Sequence, residues 1–260
     1  MSAALAAQMV AADFLKVRKR RSTVAWSLLL ALGPLLIYFI ISAAQHSSNP
    51  AEHGPAGGVG GYQDALRIIA VFFGPLAAIL IGTDAGAGDA AAGVFRDLVV
   101  TGRSRLALFA TRVPAAIALT WLVATLAYAL AVIGTLAFAG GAPDPSAATF
   151  VDGYLFTLLS TGVICAVAVG FSSLTASRPG ALVALIGWEL VASPILTGIS
   201  SLGSARDLVL REGINHFSPI GLGGVNNKVA MSTGTAILVL ACWLLVLGGL
   251  GAWRTRTMDA

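Results

Sequence analysis

The stretch VAWSLLLALGPLLIYFIISAA, residues 24–44, decides the fold class of this chain. It contains no charged residue, and a helix needs about 20 mostly apolar residues to cross a bilayer. The whole chain has the same character, because 57% of its 260 residues are hydrophobic and 11% are charged. Soluble domains carry about 25% charged residues. The sequence therefore predicts an integral membrane protein.

Six apolar runs of this kind follow one another along the chain. We expect each to be a helix, because an open strand would leave backbone groups unpaired in lipid, and the runs lack the alternation of a membrane barrel. The predicted spans are 24–44, 66–86, 113–139, 150–174, 181–202 and 232–252. The expected fold is all-α, a single transmembrane domain over residues 1–260. We expect the first span to be retained, because its apolar core is longer than that of a signal peptide.

The distribution of Lys and Arg predicts the orientation of these spans. With the N-terminus in the cytoplasm, twelve of the 16 basic residues lie inside and four outside, which favours both termini inside. The cations cluster at helix ends and not on a soluble basic face, so we expect no nucleic-acid partner. The expected location is the cell membrane, multi-pass, with both termini cytoplasmic.

Residues 1–22 precede the first span and differ from it. Met9, Val10, Phe14 and Val17 fall on one flank of a predicted helix, and basic residues cluster just before the span. One interpretation is a topology anchor that contacts anionic lipid. The other is an amphipathic helix that lies in the inner interface and is available to a cytoplasmic partner.

The polar segment 87–112 connects the second and third spans on the predicted inner side. It contains FRDLVVTGRSRLALFATR, residues 95–112, with five charged residues, four of them arginine. Arginines alone indicate only an inner loop that fixes topology. A short helix with Phe95 and Leu98 on one face, and Arg96 and Arg103 kept polar, is suited to insert into a groove on a soluble partner.

Glu189 lies near the middle of the fifth predicted span, where a carboxylate is costly. It is either a packing residue bonded to a neighbouring helix or a residue that lines a transport pathway. Pro194 follows five residues later and frees a backbone carbonyl, which favours a functional role.

Residues 203–230, between the last two spans, are too long and mixed for a simple turn. A loop of this length without structure is uncommon, so we expect an ordered, partly re-entrant outer hairpin and not a solvated loop. The outer histidines show no metal-ligand spacing, and no metal site is predicted. The sequence has no G-x-x-x-x-G-K-[ST] phosphate loop and no hydrolase motif, so we expect no enzymatic activity on this chain.

The arrangement of spans, N-terminal helix and polar segment resembles the ABC-2-type transporter permeases. In the polar segment a degenerate family pattern is matched by Gly93, Arg96, Leu98, Thr101, Ser104, Arg105 and Arg112, with Asp89 where the family commonly has glutamate. SPIG at 218–221 is similar to the proline-bearing stretch before the family's last span. Gly102-Arg103 departs from the commoner Pro-hydrophobic pair, and the ending WRTRTMDA matches only loosely.

The resemblance implies the transmembrane subunit of an ATP-driven exporter. Two copies, or one copy and a sister permease, would form the substrate pathway in the lipid bilayer. A separate ATP-binding cassette subunit would bind ATP and Mg²⁺, with no cofactor on this chain. The substrate would be an amphipathic small molecule, a drug or antibiotic, a lipid or a glycan.

The resemblance also assigns candidate site residues. The coupling set, where the ATPase subunit would dock, comprises Asp89, Gly93, Phe95, Arg96, Asp97, Leu98, Thr101, Arg103 and Arg105. The interfacial set comprises Phe14, Lys16, Arg18 and Arg20. The pathway set comprises Thr83, Asp84 and Glu189.

Two other classes remain open at this point. An ion-gradient-driven secondary transporter would use Glu189 as its ion or proton site, although no inverted repeat relates the two halves of the chain. A membrane enzyme or anchor would need several polar residues at one depth, and only Glu189 is clearly intramembrane.

Overall fold

The computed structural model describes residues 3–94, 97, 100, 102–219 and 230–258, and the regular structure there is helical throughout. Six of its helices are long and apolar enough to cross a membrane, which confirms the all-helical membrane class and the number of spans. The helices are α1 (Ala3–Lys19), α2 (Arg21–Ser48), α3 (Gly58–Ala91), α4 (Arg105–Ala137), α5 (Ala147–Thr175), α6 (Arg178–Gly198), α7 (Leu210–Asn215) and α8 (Thr233–Thr257). The membrane-crossing set is α2 to α6 and α8. The orientation of the termini stays a prediction.

Serine side chains begin several of these helices. In each case the hydroxyl accepts a hydrogen bond from a backbone N–H of the first turn, which would otherwise lack a helical partner. The capping serines are Ser104, Ser146, Ser177 and Ser232. Helices α4, α5 and α6 start eight, three and three residues before the predicted spans, whereas α8 starts one residue after the predicted start at 232.

Helices α3 and α5 form the centre of the bundle. In each, 67% of the most apolar stretch is buried, against 22% in α2, α6 and α8. Glycines let the two helices approach closely: a Cβ on Gly86 would lie 2.1 Å from Ser172 Oγ, and one on Gly82 would lie 2.6 Å from the Cys165 carbonyl oxygen. Small residues at such contacts are typical of membrane helix packing.

Two of the spanning helices contain a π-helical turn. One lies in α3 at Ile68–Phe72 and the other in α6 at Trp188–Ala192. Each is followed by a proline, Pro75 or Pro194, which has no N–H to donate to the carbonyl four or five residues earlier. Carbonyl oxygens at both turns therefore need donors from other helices.

Helix α1 packs against the bundle mainly through α4. Val17 is buried, and Phe14 packs against the core, so the predicted apolar flank of α1 faces protein. Arg18 is exposed on the other side. We call the end of the bundle that carries α1 the α1 end.

The connection between α6 and α8 folds back onto the bundle. It consists of the short 3-10 segment Ser200–Leu208 and then α7, whose six residues are all buried and which packs against α8. Leu208 is exposed, whereas Val209 and Ile214 are buried. The predicted re-entrant depth of this segment in a bilayer stays a prediction, and residues 220–229 lie outside the described residues.

Candidate functional site

Two buried aspartates stand at the α1 end of α3. Asp84 and Asp89 lie five residues apart, and each side chain is only 1% exposed. A buried carboxylate needs cationic partners or hydrogen-bond donors, because removing its charge from water costs several kcal/mol. Both aspartates have such partners, and these partners come from other helices.

Asp84 is paired with two arginines. Its Oδ1 lies 2.8 Å from Arg20 Nη1 and 3.1 Å from Arg178 Nε. Arg20 lies at the junction of α1 and α2, and Arg178 begins α6. Asp84 therefore ties the start of α2 and the start of α6 to α3.

Asp89 is paired with cations from α1 and α4. Its Oδ2 lies 2.8 Å from Lys16 Nζ and 2.8 Å from Arg112 Nη2, and its Oδ1 lies 3.8 Å from Arg20 Nη2. Arg112 is itself buried and also donates to the Gly86 carbonyl at 3.3 Å. Asp89 therefore ties α1 and α4 to the same end of α3.

These six residues form one charge cluster: Lys16, Arg20, Asp84, Asp89, Arg112 and Arg178. Asp13 extends it, because its carboxylate contacts Lys16 at 3.0 Å and accepts a hydrogen bond from Thr111 at 2.8 Å. The cluster joins α1, α3, α4 and α6 at one end of the bundle. It connects residues that the sequence assigned to three separate sets, the interfacial, coupling and pathway sets.

The sequence alone does not predict that residues of these three sets pair with one another. The sequence does hold a signal, since two carboxylates near the predicted inner end of an apolar helix need partners, and a large excess of Lys and Arg is predicted on the same side. Which cations reach which carboxylate depends on helix packing, and that could not be read from spacing.

The segment between α3 and α4 is closed at its base by the Asp89–Arg112 ion pair. Gly93 and Gly102 adopt positive φ values of 69° and 79°, which reverse the chain at either side of the segment. Asp97, Val100 and Arg103 are exposed, and the Val100 side chain is 80% exposed. The remaining coupling residues, Phe95, Arg96, Leu98 and Thr101, lie outside the described residues.

Arg105, also in the predicted coupling set, contacts the end of α8. Its guanidinium donates to the carbonyl oxygens of Arg256, at 3.2 Å, and Met258. The start of α4 is therefore connected to the C-terminal turn of the last helix.

The predicted pathway residues are separated in the structure. Thr83 is buried and donates to the Ile79 carbonyl of its own helix at 2.8 Å. Asp84 belongs to the charge cluster. Glu189 lies in the π turn of α6, where its nearest charged partner is Arg211 of α7.

Arg211 makes a bridge that we call the arginine brace. Its Nη2 donates to the Val71 carbonyl of α3 at 3.2 Å, and its Nη1 donates to the Glu189 carbonyl of α6 at 3.1 Å. Pro75 cannot donate to Val71, nor Pro194 to Glu189, so the brace supplies N–H groups that the prolines lack. The guanidinium also lies 5.5 Å from the centre of the Phe72 ring. Short α7 thus links the two π turns.

A second side chain donates a hydrogen bond to a freed carbonyl of the π turn in α3. Ser160 Oγ, on α5, donates to the Ala70 carbonyl at 2.7 Å, five residues before Pro75. Freed carbonyls in a membrane helix are expensive unless neighbouring side chains satisfy them. The arginine brace and Ser160 therefore stabilise an otherwise costly backbone.

Beside Glu189 lies a largely apolar cavity of about 240 Å³ between α3, α5, α6, α7 and α8. Trp188 and Trp243 line it, with ring centres 5.5 Å apart. Among the described residues, no three His, Cys, Asp or Glu side chains are grouped so as to hold a metal ion.

No family model and no curated protein matches this chain. Its function is therefore inferred from the arrangement of its own residues.

Proposed function

We propose that this chain is the transmembrane subunit of an ATP-driven exporter of the ABC-2 type, with the 87–112 segment as its docking element for a separate ATP-binding subunit. The observation that carries the proposal is the Asp89–Arg112 ion pair at the base of that segment. The pair joins the residues at which the segment leaves α3 and enters the bundle again in α4, and Asp89 also contacts Lys16 of α1.

In this proposal the charge cluster transmits movement of the docking segment into the helix bundle. A soluble partner that moves the segment would move α3 and α4 together, because their ends share the Asp89–Arg112 pair. Asp84 would pass that movement to the start of α6 through Arg178. Helices α3 and α6 are the second and fifth spans, which would contribute most to the pathway.

The nucleotide chemistry belongs to the partner in this proposal. The chain has no phosphate loop, so ATP and Mg²⁺ would bind the ATP-binding cassette subunit and none would be held here. The α1 end would then face the cytoplasm of a cell membrane, in agreement with the basic residues concentrated there.

A second permease copy, or a sister chain, would complete the pathway. Helix α6 supports this, since it is one of the least buried spans and exposes Val183, Leu190, Val191 and Ile195. The transported molecule would be an amphipathic small molecule, a drug or antibiotic, a lipid or a glycan.

The test is to purify the chain from its native membrane and to measure ATP hydrolysis and transport in proteoliposomes. We expect a chain with a phosphate loop to co-purify, and we expect the double variant F95A/R96A to insert normally but to lose the complex and the coupled transport. The matched control is Asp144→Ala, an exposed acidic residue in the connection between α4 and α5.

Normal coupled transport by F95A/R96A would overturn the proposal. Transport driven by an ion gradient, without an ATP-binding chain and abolished by Glu189→Gln, would instead assign the chain to the secondary transporters.

A further inference from the structure

The cavity beside Glu189, which we call the indole cavity, is lined mostly by apolar side chains. Its walls include Ile79 of α3, Phe171 of α5 and Leu247 of α8, with the two indole rings of Trp188 and Trp243. Its volume of about 240 Å³ exceeds that of a few waters, and an apolar lining of this kind does not hold water well. An apolar occupant would gain contact with five helices.

Two polar groups at this cavity have unused hydrogen-bonding capacity. Within the described residues, the Trp188 indole Nε1 is buried and has no hydrogen-bond partner, whereas Trp243 Nε1 donates to the Leu208 carbonyl at 2.9 Å. A buried N–H without an acceptor is rare and calls for an explanation. Trp188 therefore offers one donor to an occupant.

Glu189 offers an acceptor at the same cavity. Its Oε1 lies 3.7 Å from Arg211 Nη1, beyond hydrogen-bond distance, and that guanidinium donates to the carbonyls of Val71 and Glu189. Within the described residues the carboxylate accepts no hydrogen bond, although it is 6% exposed. Its charge is balanced by Arg211, so the occupant need not be a cation.

We propose that the indole cavity binds an apolar molecule that carries a single hydroxyl group, an alkanol or a phenol. A hydroxyl accepts one hydrogen bond and donates another, so a hydroxyl that lies within reach of both groups would satisfy the Trp188 N–H and the Glu189 carboxylate. An ammonium group only donates and would leave the indole unpaired. A carboxylate only accepts and would be repelled by Glu189.

The size and position of the cavity fit a small amphiphile that enters from the bilayer. The volume is below the range of about 300–1,000 Å³ of drug-sized pockets, so a small alcohol or the polar end of a longer one fits. Ala184 of α6 lines the cavity and is exposed, which places an opening beside this helix. Its neighbour Val183 is 75% exposed and does not line the cavity.

The test uses the full-length chain in phosphatidylcholine nanodiscs and an octanol that carries a diazirine ring on its alkyl chain. After irradiation, mass spectrometry locates the labelled residues. We expect saturable labelling at Phe171, Trp188 or Leu247, removed by excess 1-octanol and unaffected by excess octanoate at the same concentration.

Variants separate the cavity from the surrounding lipid. Trp188→Phe removes the indole N–H, and we expect it to weaken saturable binding about fivefold, and Glu189→Gln about tenfold. Ala184→Phe fills the cavity and should abolish saturable labelling. Val183→Phe places the same side chain on the exposed face and should leave it unchanged.

Labelling that rises linearly with probe concentration, or equal competition by octanol and octanoate, would overturn the proposal. So would unchanged binding in both W188F and A184F, two variants that keep the Glu189–Arg211 pair. The assay needs no ATP-binding partner, so its failure leaves the exporter proposal untouched.

Discussion

Replacing Asp89 by asparagine removes the carboxylate that holds α1 and α4 to the end of α3. The asparagine side chain has nearly the same shape, so the change tests charge and not packing. Three cations would then lack their shared partner: Lys16, Arg20 and Arg112.

The expected loss follows from the burial of these cations. The Arg112 side chain is 5% exposed, and breaking a buried ion pair by removing one partner costs about 3–5 kcal/mol. Lys16 and Arg20 are 33% and 29% exposed, so water replaces much of their interaction, leaving about 0–1 kcal/mol each. Arg112 keeps the Gly86 carbonyl, and asparagine keeps one acceptor oxygen. We therefore expect the free energy of unfolding to fall by about 3 kcal/mol, at the lower end of the range for a broken buried pair.

The assay is unfolding in dodecyl maltoside by titration with sodium dodecyl sulfate, followed by helical circular dichroism. The matched control is Asp64→Asn, which breaks the Asp64–Arg67 pair on a side chain that is 50% exposed, and should cost about 0–1 kcal/mol. The double variant D89N/R112Q should lose less than the sum of the single variants, because no buried guanidinium is then left without its carboxylate. A loss in D89N no greater than that in D64N would refute the assignment of Asp89 as a buried tie.

Two further substitutions probe the helix contacts. Gly86→Ala should lower the free energy of unfolding by about 1–3 kcal/mol, because its Cβ would lie 2.1 Å from Ser172 Oγ and force α3 away from α5. The control is Gly248→Ala, where a Cβ meets nothing within 4 Å and the same titration should show little effect. Equal losses in the two variants would contradict the close contact between α3 and α5. Arg211→Met should lower the free energy of unfolding by about 3 kcal/mol, because it leaves a buried carboxylate unpaired and removes the donors to two freed carbonyls. Arg206→Met, on a partly exposed side chain, should lower it by about 1 kcal/mol or less. Similar midpoints of thermal unfolding for the two variants would contradict the arginine brace.

The spans could be predicted from the sequence because lipid imposes a simple requirement of length and apolarity. The helix ends could not, since hydropathy reports only the apolar core. Helix α4 begins at Arg105, eight residues before the predicted span, because Ser104 caps its first turn and the stretch up to Arg112, which carries two arginines, is still helical. Hydrogen bonding by a cap has no hydropathy signal.

The partners of buried charges were also beyond sequence reasoning. The sequence marks Glu189 as costly in a membrane and predicts a freed carbonyl near Pro194, but the donor Arg211 comes from a segment predicted to be an outer hairpin. The π turns depend on Ser160 and Arg211, which lie 90 and 140 residues from the carbonyls of Ala70 and Val71. Local propensity holds no information on contacts of that range.

The π turn in α3 has a consequence for the length of that helix. A π turn carries one residue more than an α turn, and one residue corresponds to about 100° of rotation about the helix axis. The turn therefore sets the phase between the two halves of α3. Before the π turn, the Tyr62 hydroxyl lies 2.7 Å from the Tyr128 hydroxyl, and after it Asp84 and Asp89 contact their cations. A deletion between these points would rotate one half out of register, so natural variation in the length of α3 should be confined to its ends.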